Sequence, residues 1–347
     1  MNIIYNRIIS TAWWRILVAL IAALLMFMVL IYCSGRDASQ VMRVLIMGGW
    51  GSTTALTESV VKAIPIMLCA LGAALPARMG LINIGGEGQL IMGAVGATWV
   101  ALNMAALSRP SLLALMVLAA VASGAIWGLL PGALRAMTRA SEIVISLLLN
   151  YVAILFMLYL IHGPFKDPLS FGWAQSQAFG SNAILPNFTT TRIHVMLFVG
   201  LFFAVAFSLL IRRTIWGVAF RIINASDKSA RYAGINVGKY YILAFAIGGS
   251  LAALAGLGEV SVIHTRLREG ISMGYGYTGF LVAWLCSNRF ILIPVASLLL
   301  GGLFSGADVL QISAGLPFAT ISILQGLLFL AVLVGEAIQK NKIIRET

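Results

Sequence analysis

Ten apolar runs dominate this chain, at about 16–33, 62–79, 88–107, 112–131, 142–161, 194–212, 239–258, 275–288, 291–307 and 319–338. Most approach the ~20 residues with which a helix crosses the ~30 Å hydrocarbon core of a bilayer. In lipid every backbone N–H and C=O must be paired within the protein, so only helices and closed barrels can span. The runs are continuous and lack the alternation of a barrel strand, so helices are predicted. The expectation is an all-α fold: a polytopic transmembrane helical bundle of about ten helices, one transmembrane domain over residues 1–347 with no soluble domain attached. The eighth run is short and glycine-rich, which predicts a tilted, broken or re-entrant segment. Composition agrees, because only 10% of residues are charged where a soluble domain carries about 25%. The 35 glycines suit close helix contacts in membranes.

Charge sets the expected orientation. With the N-terminus inside, the cytoplasmic segments hold Arg7, Arg15, Arg78, Arg135, Arg139, Arg212, Arg213, Arg221, Lys228, Arg231, Lys239, Arg289, Lys340, Lys342 and Arg345, which is 15 of the 23 basic residues. This bias predicts cytoplasmic N- and C-termini and reverses if one span is miscounted. It also accounts for the net charge of +12 without nucleic acid as a partner. Three connections are long: an external amphipathic segment at 34–61, an external loop at 162–193 and a cytoplasmic loop at 213–238. Cys33, Cys69 and Cys286 are isolated, which supports neither a metal site nor a disulfide framework. Bulky Tyr32 argues against lipoprotein cleavage at Cys33, so the first run reads as a retained helix.

The chain carries no catalytic constellation. His162, His194 and His264 fall near expected external span ends, without zinc-type spacing, and read as interfacial. Gly274–Gly279 fits G-x-G-x-x-G, but its flanks are spans, so it is no dinucleotide site. No phosphate-binding loop is present, so energy for active transport must come from another subunit or an ion gradient. No cofactor or metal is expected.

Polar residues within the spans are more informative, because charge is costly there. Asn83-Ile-Gly-Gly-Glu87-Gly-Gln89 sets a carboxylate, two amides and three glycines between apolar runs. It reads either as a broken segment lining a translocation path or as a tight turn at the cytoplasmic face. Glu142 and Asn150, eight apart, share one face of the fifth helix. Glu142 also suits a helix N-terminus, and Asn150 a helix–helix hydrogen bond. Glu259 and Asp308 are expected at loop edges on the outside. Gly302 and Gly306 form G-x-x-x-G, and Gly249, Ala253 and Gly256 belong to a small-residue face, both suited to helix packing. Met79-Gly80 and Met273-Gly274 each open a glycine-rich stretch before a span, which is either a weak internal repeat or coincidence.

In the loop 213–238 a basic stretch is followed by a short helical segment at Lys228–Tyr232 and by Gly234, the residue type usual just past a helix end. A short capped helix leading directly into a span suits docking on a soluble partner; its basic charge alone would also fit an ordinary cytoplasmic loop. Residues 229–237 read SARYAGINV and residues 246–256 read AIGGSLAALAG. This pair resembles the coupling region of permeases in the branched-chain amino acid, ribose and nucleoside branch of ABC importers. Residues 80–89 (GLINIGGEGQ), Met92-Gly-Ala, Glu142-Ile with Leu149-Asn-Tyr-Val, and residues 274–280 (GYGYTGF) followed by Ala283 resemble motifs of the same branch. The ordered set runs from about 60 to 338, and N-I-G-x-E-G-Q points to the simple-sugar or nucleoside type.

The resemblance implies that Ala230, Arg231, Gly234 and Ile235 lie in the coupling helix that docks on an ABC ATP-binding subunit. It further implies a second homologous permease subunit, an extracytoplasmic substrate-binding protein, a place in a bacterial cytoplasmic (inner) membrane, and transport of a nucleoside or simple sugar. Asn224, Ser226 and Asp227 replace the Gly, Asn and Pro common before the A-A-R-Y of such proteins. Asn at 224 would keep a left-handed turn available. Two other classes compete: an ion-coupled secondary transporter using Glu87, and a membrane-embedded enzyme on lipid-linked substrates, for which one carboxylate flanked by amides is a poor catalytic set.

Overall fold

The computed structural model describes residues 21–314 apart from 139, 171, 189 and 190, together with scattered residues between 322 and 334. Among the described residues all regular structure is helical, with three isolated β-bridges in the loops. The helices are α1 (Ile21–Cys33), α2 (Ala38–Trp50), α3 (Thr53–Ala77), α4 (Gly86–Asn103), α5 (Arg109–Thr138), α6 (Glu142–His162), α7 (Met196–Arg213), α8 (Ile215–Ala225), α9 (Asp227–Tyr232), α10 (Val237–Gly258), α11 (Tyr275–Leu285) and α12 (Ile293–Ala314). They fall into two compact units, Met1–Ser59 with Leu299–Thr347, and Val60–Leu298.

In the first unit α2 packs on the second half of α12. Gly48 and Gly49 lie against Gly306 and Gly302 so closely that a Cβ on Gly49 would strike the Gly302 carbonyl. Ser305 Oγ donates to the Gly48 carbonyl at 3.1 Å. Asp37 caps α2, its Oδ1 accepting from Ser39 N at 2.8 Å and Gln40 N at 3.3 Å.

In the second unit α10 is central. It packs on α4 and α5, and a Cβ on Gly72 of α3 would collide with the Gly248 carbonyl. Backbones approach this closely only through small residues, which is how helices associate where lipid removes the hydrophobic drive between them. Around this centre α5, α6 and α7 turn large apolar side chains outward, among them Leu118, Leu155 and Phe202. Such faces suit lipid as solvent.

Among the described residues six helices are long and apolar enough to cross a membrane: α3, α5, α6, α7, α10 with its extension to Ile263, and α12 with the turn before it. Six of the ten expected membrane segments meet that measure. α4, with two glycines in its first turn and Glu87 between them, and α11, only 11 residues long, do not qualify on apolar length. The tenth run lies largely outside the described residues. The amphipathic segment 34–61 contains α2 and the first turns of α3. Glu259 is no loop-edge residue: α10 continues through it as a π-turn, Glu259–Ile263, and its side chain is buried. Asp308 lies within α12, well before its end. His194 is also buried and not interfacial, with Nδ1 3.2 Å from the Arg192 carbonyl.

Candidate functional site

Between α3 and α4 the chain leaves helical geometry. α3 ends at Ala77, Gly80 is left-handed (φ +77°), and Leu81–Ile84 lie in no regular structure before α4 begins at Gly86. Backbone exposed this way inside a helical protein needs polar partners, and the side chains nearby supply them. Asn83 Oδ1 accepts from Gly85 N at 3.0 Å, and its amide exchanges hydrogen bonds with that of Gln89 at 3.2 and 3.3 Å. Asn150 of α6 spans the break: its Oδ1 accepts from Gly88 N at 2.8 Å while Nδ2 donates to the Ile84 carbonyl at 3.0 Å and faces Tyr277 Oη at 3.3 Å. Glu142, at the start of α6, accepts from Ile82 N at 3.4 Å and pairs with Arg135 Nε of α5 at 3.4 Å.

Glu87 closes the other side. Its Oε2 accepts from Gly276 N at 2.8 Å, and the Gly274, Tyr277 and Ser272 groups surround the same carboxylate. Gly276 and Tyr277 lie in the first turn of α11, left-handed Gly274 (φ +82°) is its N-cap, and Ser272 comes just before. A carboxylate at a helix N-terminus meets unpaired N–H groups and the positive end of the helix dipole. Gly276 can bear no side chain, since a Cβ there would strike the Glu87 backbone. The two glycine-rich stretches that match in sequence, after Met79 and after Met273, thus share a left-handed glycine before a helix start, and they meet face to face.

Asn83, Glu87, Gln89, Glu142 and Asn150 are all buried within the second unit. Their polar atoms are engaged with backbone and with one another, so they frame the break and present little surface to a solute.

The segment 214–238 is the second candidate region. Thr214 is extended and turns the chain from α7 into α8, whose Trp216 and Phe220 rings pack on Tyr240 of α10 at 5.6 and 5.9 Å. Ser226 caps α9 by accepting from Ser229 N at 3.3 Å. Asp227 Oδ1 accepts from Tyr241 Oη at 2.7 Å, tying α9 to α10. Left-handed Gly234 (φ +77°) ends the helix, with its N–H donating to Arg231 O and that of Ile235 to Ala230 O, both at 3.0 Å. Ala230 is fully buried beneath the segment, whereas Arg231 and Gly234 are exposed and Tyr232 is 93% exposed. An open cleft of ≈ 570 Å³ beside α9 is lined by Arg135, Asp227, Lys228, Arg231 and Ile235 among others.

A sequence profile described as "Branched-chain amino acid transport system / permease component" matches residues 55–333. This chain belongs to that family. Among curated relatives of this permease, the glucose ABC transporter permease protein TsgB13 of Haloferax volcanii is 34% identical over 83% of this chain and 78% of its own length. The guanosine ABC transporter permease protein NupP of Bacillus subtilis is 30% identical over 93% of both chains. The nucleoside ABC transporter permease protein NupB of Lactococcus lactis is 27% identical over 76% and 75%.

The structure gathers Asn83, Glu87, Gln89 and Asn150 of the permease in one polar core, reached by Glu142 from its edge. Ala230, Arg231, Gly234 and Ile235 lie together on α9 and its exit. Gly249, Ala253 and Gly256 line one face of α10, against α5 at Gly124 and α4 at Gly93 and Leu90; in the first unit Gly302 and Gly306 lie against α2. Sequence reasoning missed Gly276, Tyr277, Arg135 and Tyr241. Gly276 was visible as part of the rejected G-x-G-x-x-G pattern, and α8 as the apolar spacing of Ile215, Ala219, Phe220 and Ile223. Asn224 is helical and not left-handed, because α8 runs through it and Ser226 makes the break.

Proposed function

We propose that this chain is the permease subunit of an ATP-driven ABC importer, forming half of the translocation path for a nucleoside, with simple sugars the alternative solute. The observation that carries the reading is α9: a capped, exposed helix held to α10 by Asp227 and Tyr241, on a chain whose relatives are named as glucose, guanosine and nucleoside transporter permeases. In this reading residues 1–347 act as one transmembrane domain of about ten membrane segments with both termini cytoplasmic, in a bacterial inner membrane.

Ala230, Arg231, Gly234 and Ile235 couple it to a separate ATP-binding subunit, and the chain itself catalyses nothing. A second homologous permease and an extracytoplasmic substrate-binding protein complete the importer. Asn83, Glu87, Gln89, Glu142 and Asn150 belong to the path as its inner frame. They fix the non-helical Leu81–Gly85 stretch and the start of α11, so that the backbone there can face the solute. Glu87 already serves as the cap of α11, which favours this reading over an ion-coupled transporter using it as a proton site.

The test is uptake of labelled guanosine and glucose into proteoliposomes holding the assembled complex. ATP-dependent uptake that persists with a protonophore is expected; uptake by this chain alone down a proton gradient would refute the reading. Gly234→Val should uncouple ATP hydrolysis from uptake, because a β-branched residue at φ +77° strains the backbone by about 1–2 kcal/mol while the space around it is open. Normal uptake in that variant would remove α9 from the coupling role.

A further inference from the structure

A second cleft, of ≈ 400 Å³, opens between the C-terminal ends of α3 and α7, the helix α8 and the turn after α11. Its charged lining is entirely cationic: Arg78, Arg212 and Arg221, with the amides of Asn224 and Asn288 beside them. Among the described residues Arg212 and Arg221 make no ion pair. Arg78 stands over the Phe290 ring, its Cζ 5.8 Å from the centroid. Asn288 holds a buried Oδ1 with no hydrogen-bond partner among the described residues.

Basic residues at helix C-termini answer the partial negative charge of the last carbonyls. That accounts for Arg78 and Arg212, which follow or end α3 and α7. It does not account for Arg221, which lies inside α8, or for the unmatched acceptor of Asn288.

The setting of α8 adds a second constraint. It is 11 residues long and directly follows α7, a helix of membrane-crossing length and composition. Phe220 and Ile223 are buried, whereas Ile215 (79% exposed), Val218 and Arg221 point outward. Spaced three apart, these last residues form one ridge that passes from apolar to cationic. An exposed ridge of that kind beside a spanning helix belongs at a membrane surface, with the apolar part in acyl chains and the charge among headgroups. Basic pockets in such positions on the cytoplasmic side hold anionic lipid headgroups.

We propose that this cleft binds a phosphate diester, presented by an anionic glycerophospholipid, with the phosphate between the guanidinium groups and a headgroup hydroxyl donating to Asn288 Oδ1. Phosphatidylglycerol has both features. A lipid held here would brace the α7–α8 elbow, from which α9 continues. Assigning the lipid to the cytoplasmic leaflet rests on the orientation proposed above; the headgroup contact does not.

The experiment is native mass spectrometry of the full chain, purified in mild detergent and titrated with dioleoyl phosphatidylglycerol or phosphatidylcholine. The wild type is expected to retain the phosphatidylglycerol adduct preferentially. In the double variant Arg212→Gln, Arg221→Gln, phosphatidylglycerol affinity should fall about fivefold per guanidinium removed, about 25-fold in all. Arg221→Lys should stay near wild type, and circular dichroism and gel filtration should show the variants folded.

Equal retention of both lipids, or undiminished phosphatidylglycerol binding in the double variant, would overturn the proposal. Inorganic phosphate or glycerol 3-phosphate at millimolar concentration should not displace the lipid; full displacement would make the ligand a free phosphate. Loss of ATP-binding-subunit co-purification in the double variant, with lipid binding unchanged, would make the cleft a protein contact instead.

Discussion

α6 and α10 invert the rule that the most apolar helix is the most buried. α6 is the most apolar of the six membrane-length helices and the least buried, at 22% of its span; α10 is the least apolar and is 72% buried. In water a chain hides its oil, but in a bilayer the outside is oil as well. What separates inside from outside is then side-chain size and polarity. α10 carries Gly248, Gly249, Ala252, Ala253 and Gly256 and meets other helices backbone to backbone. α6 carries Leu and Phe outward and turns Ser146 and Asn150, both fully buried, inward.

The largest effect should come from filling the small-residue face of α10. A Cβ on Gly249 would strike the Gly124 carbonyl, so Gly249→Leu must push backbone apart. It is expected to cost about 3 kcal/mol or more, read as a collapse of the unfolding midpoint in detergent. A variant as stable as the wild type would break the comparison.

Next is the buried amide of α6. Asn150→Leu removes the partners of Gly88 N and Ile84 O and should destabilise by about 1–2 kcal/mol, although it makes α6 still more apolar. Stabilisation would mean that hydropathy, and not hydrogen bonding, governs that face.

A smaller effect belongs to His264, just past the π-turn that ends α10. Burial, and then the nearby Arg268, Arg192 and Lys62, push its imidazole down to about 4 from the usual 6.5. The contact to Glu259 at 3.6 Å is therefore made by a neutral ring near pH 7. Below pH 6.5 the unfolded chain takes up a proton that the folded chain resists, so the contribution of His264 to stability should fall as pH drops from 6.5 towards 4 and be constant above 6.5. His264→Gln should remove that part of the slope, measured by thermal unfolding across pH.

The smallest effect is expected on the outer face of α6: Leu155→Ala, where the side chain is exposed to the surrounding medium, should change stability by no more than about 0.5 kcal/mol.

Much of the fold was legible for a local reason. Apolar length and the demand for backbone pairing placed α6, α7 and α10 to within a few residues. They gave no helix at 34–61, where amphipathic α2 lacks a continuous apolar run, or at 213–225, where α8 is only 11 residues long. The candidate site was legible in its residue types and not in its contacts. The stretch Asn83–Gln89 stood out by polarity and glycine content, yet Glu87 meets Gly276 189 positions away and Asn150 meets Gly88 62 positions away. Glu259 was misplaced because the end of an apolar run resembles a loop edge, whether the helix stops there or continues as a buried π-turn.

By itself the sequence determined the solvent of this protein, the helical class that follows from it, and, through ordered motifs, the family and the position of the short helix α9. These depend on composition and on neighbours along the chain. Only the tertiary structure decided which faces look inward, because a bilayer gives an apolar helix no preference between lipid and protein. The choice passes to Gly–Gly approaches and buried amides, which acquire their meaning when two distant segments meet.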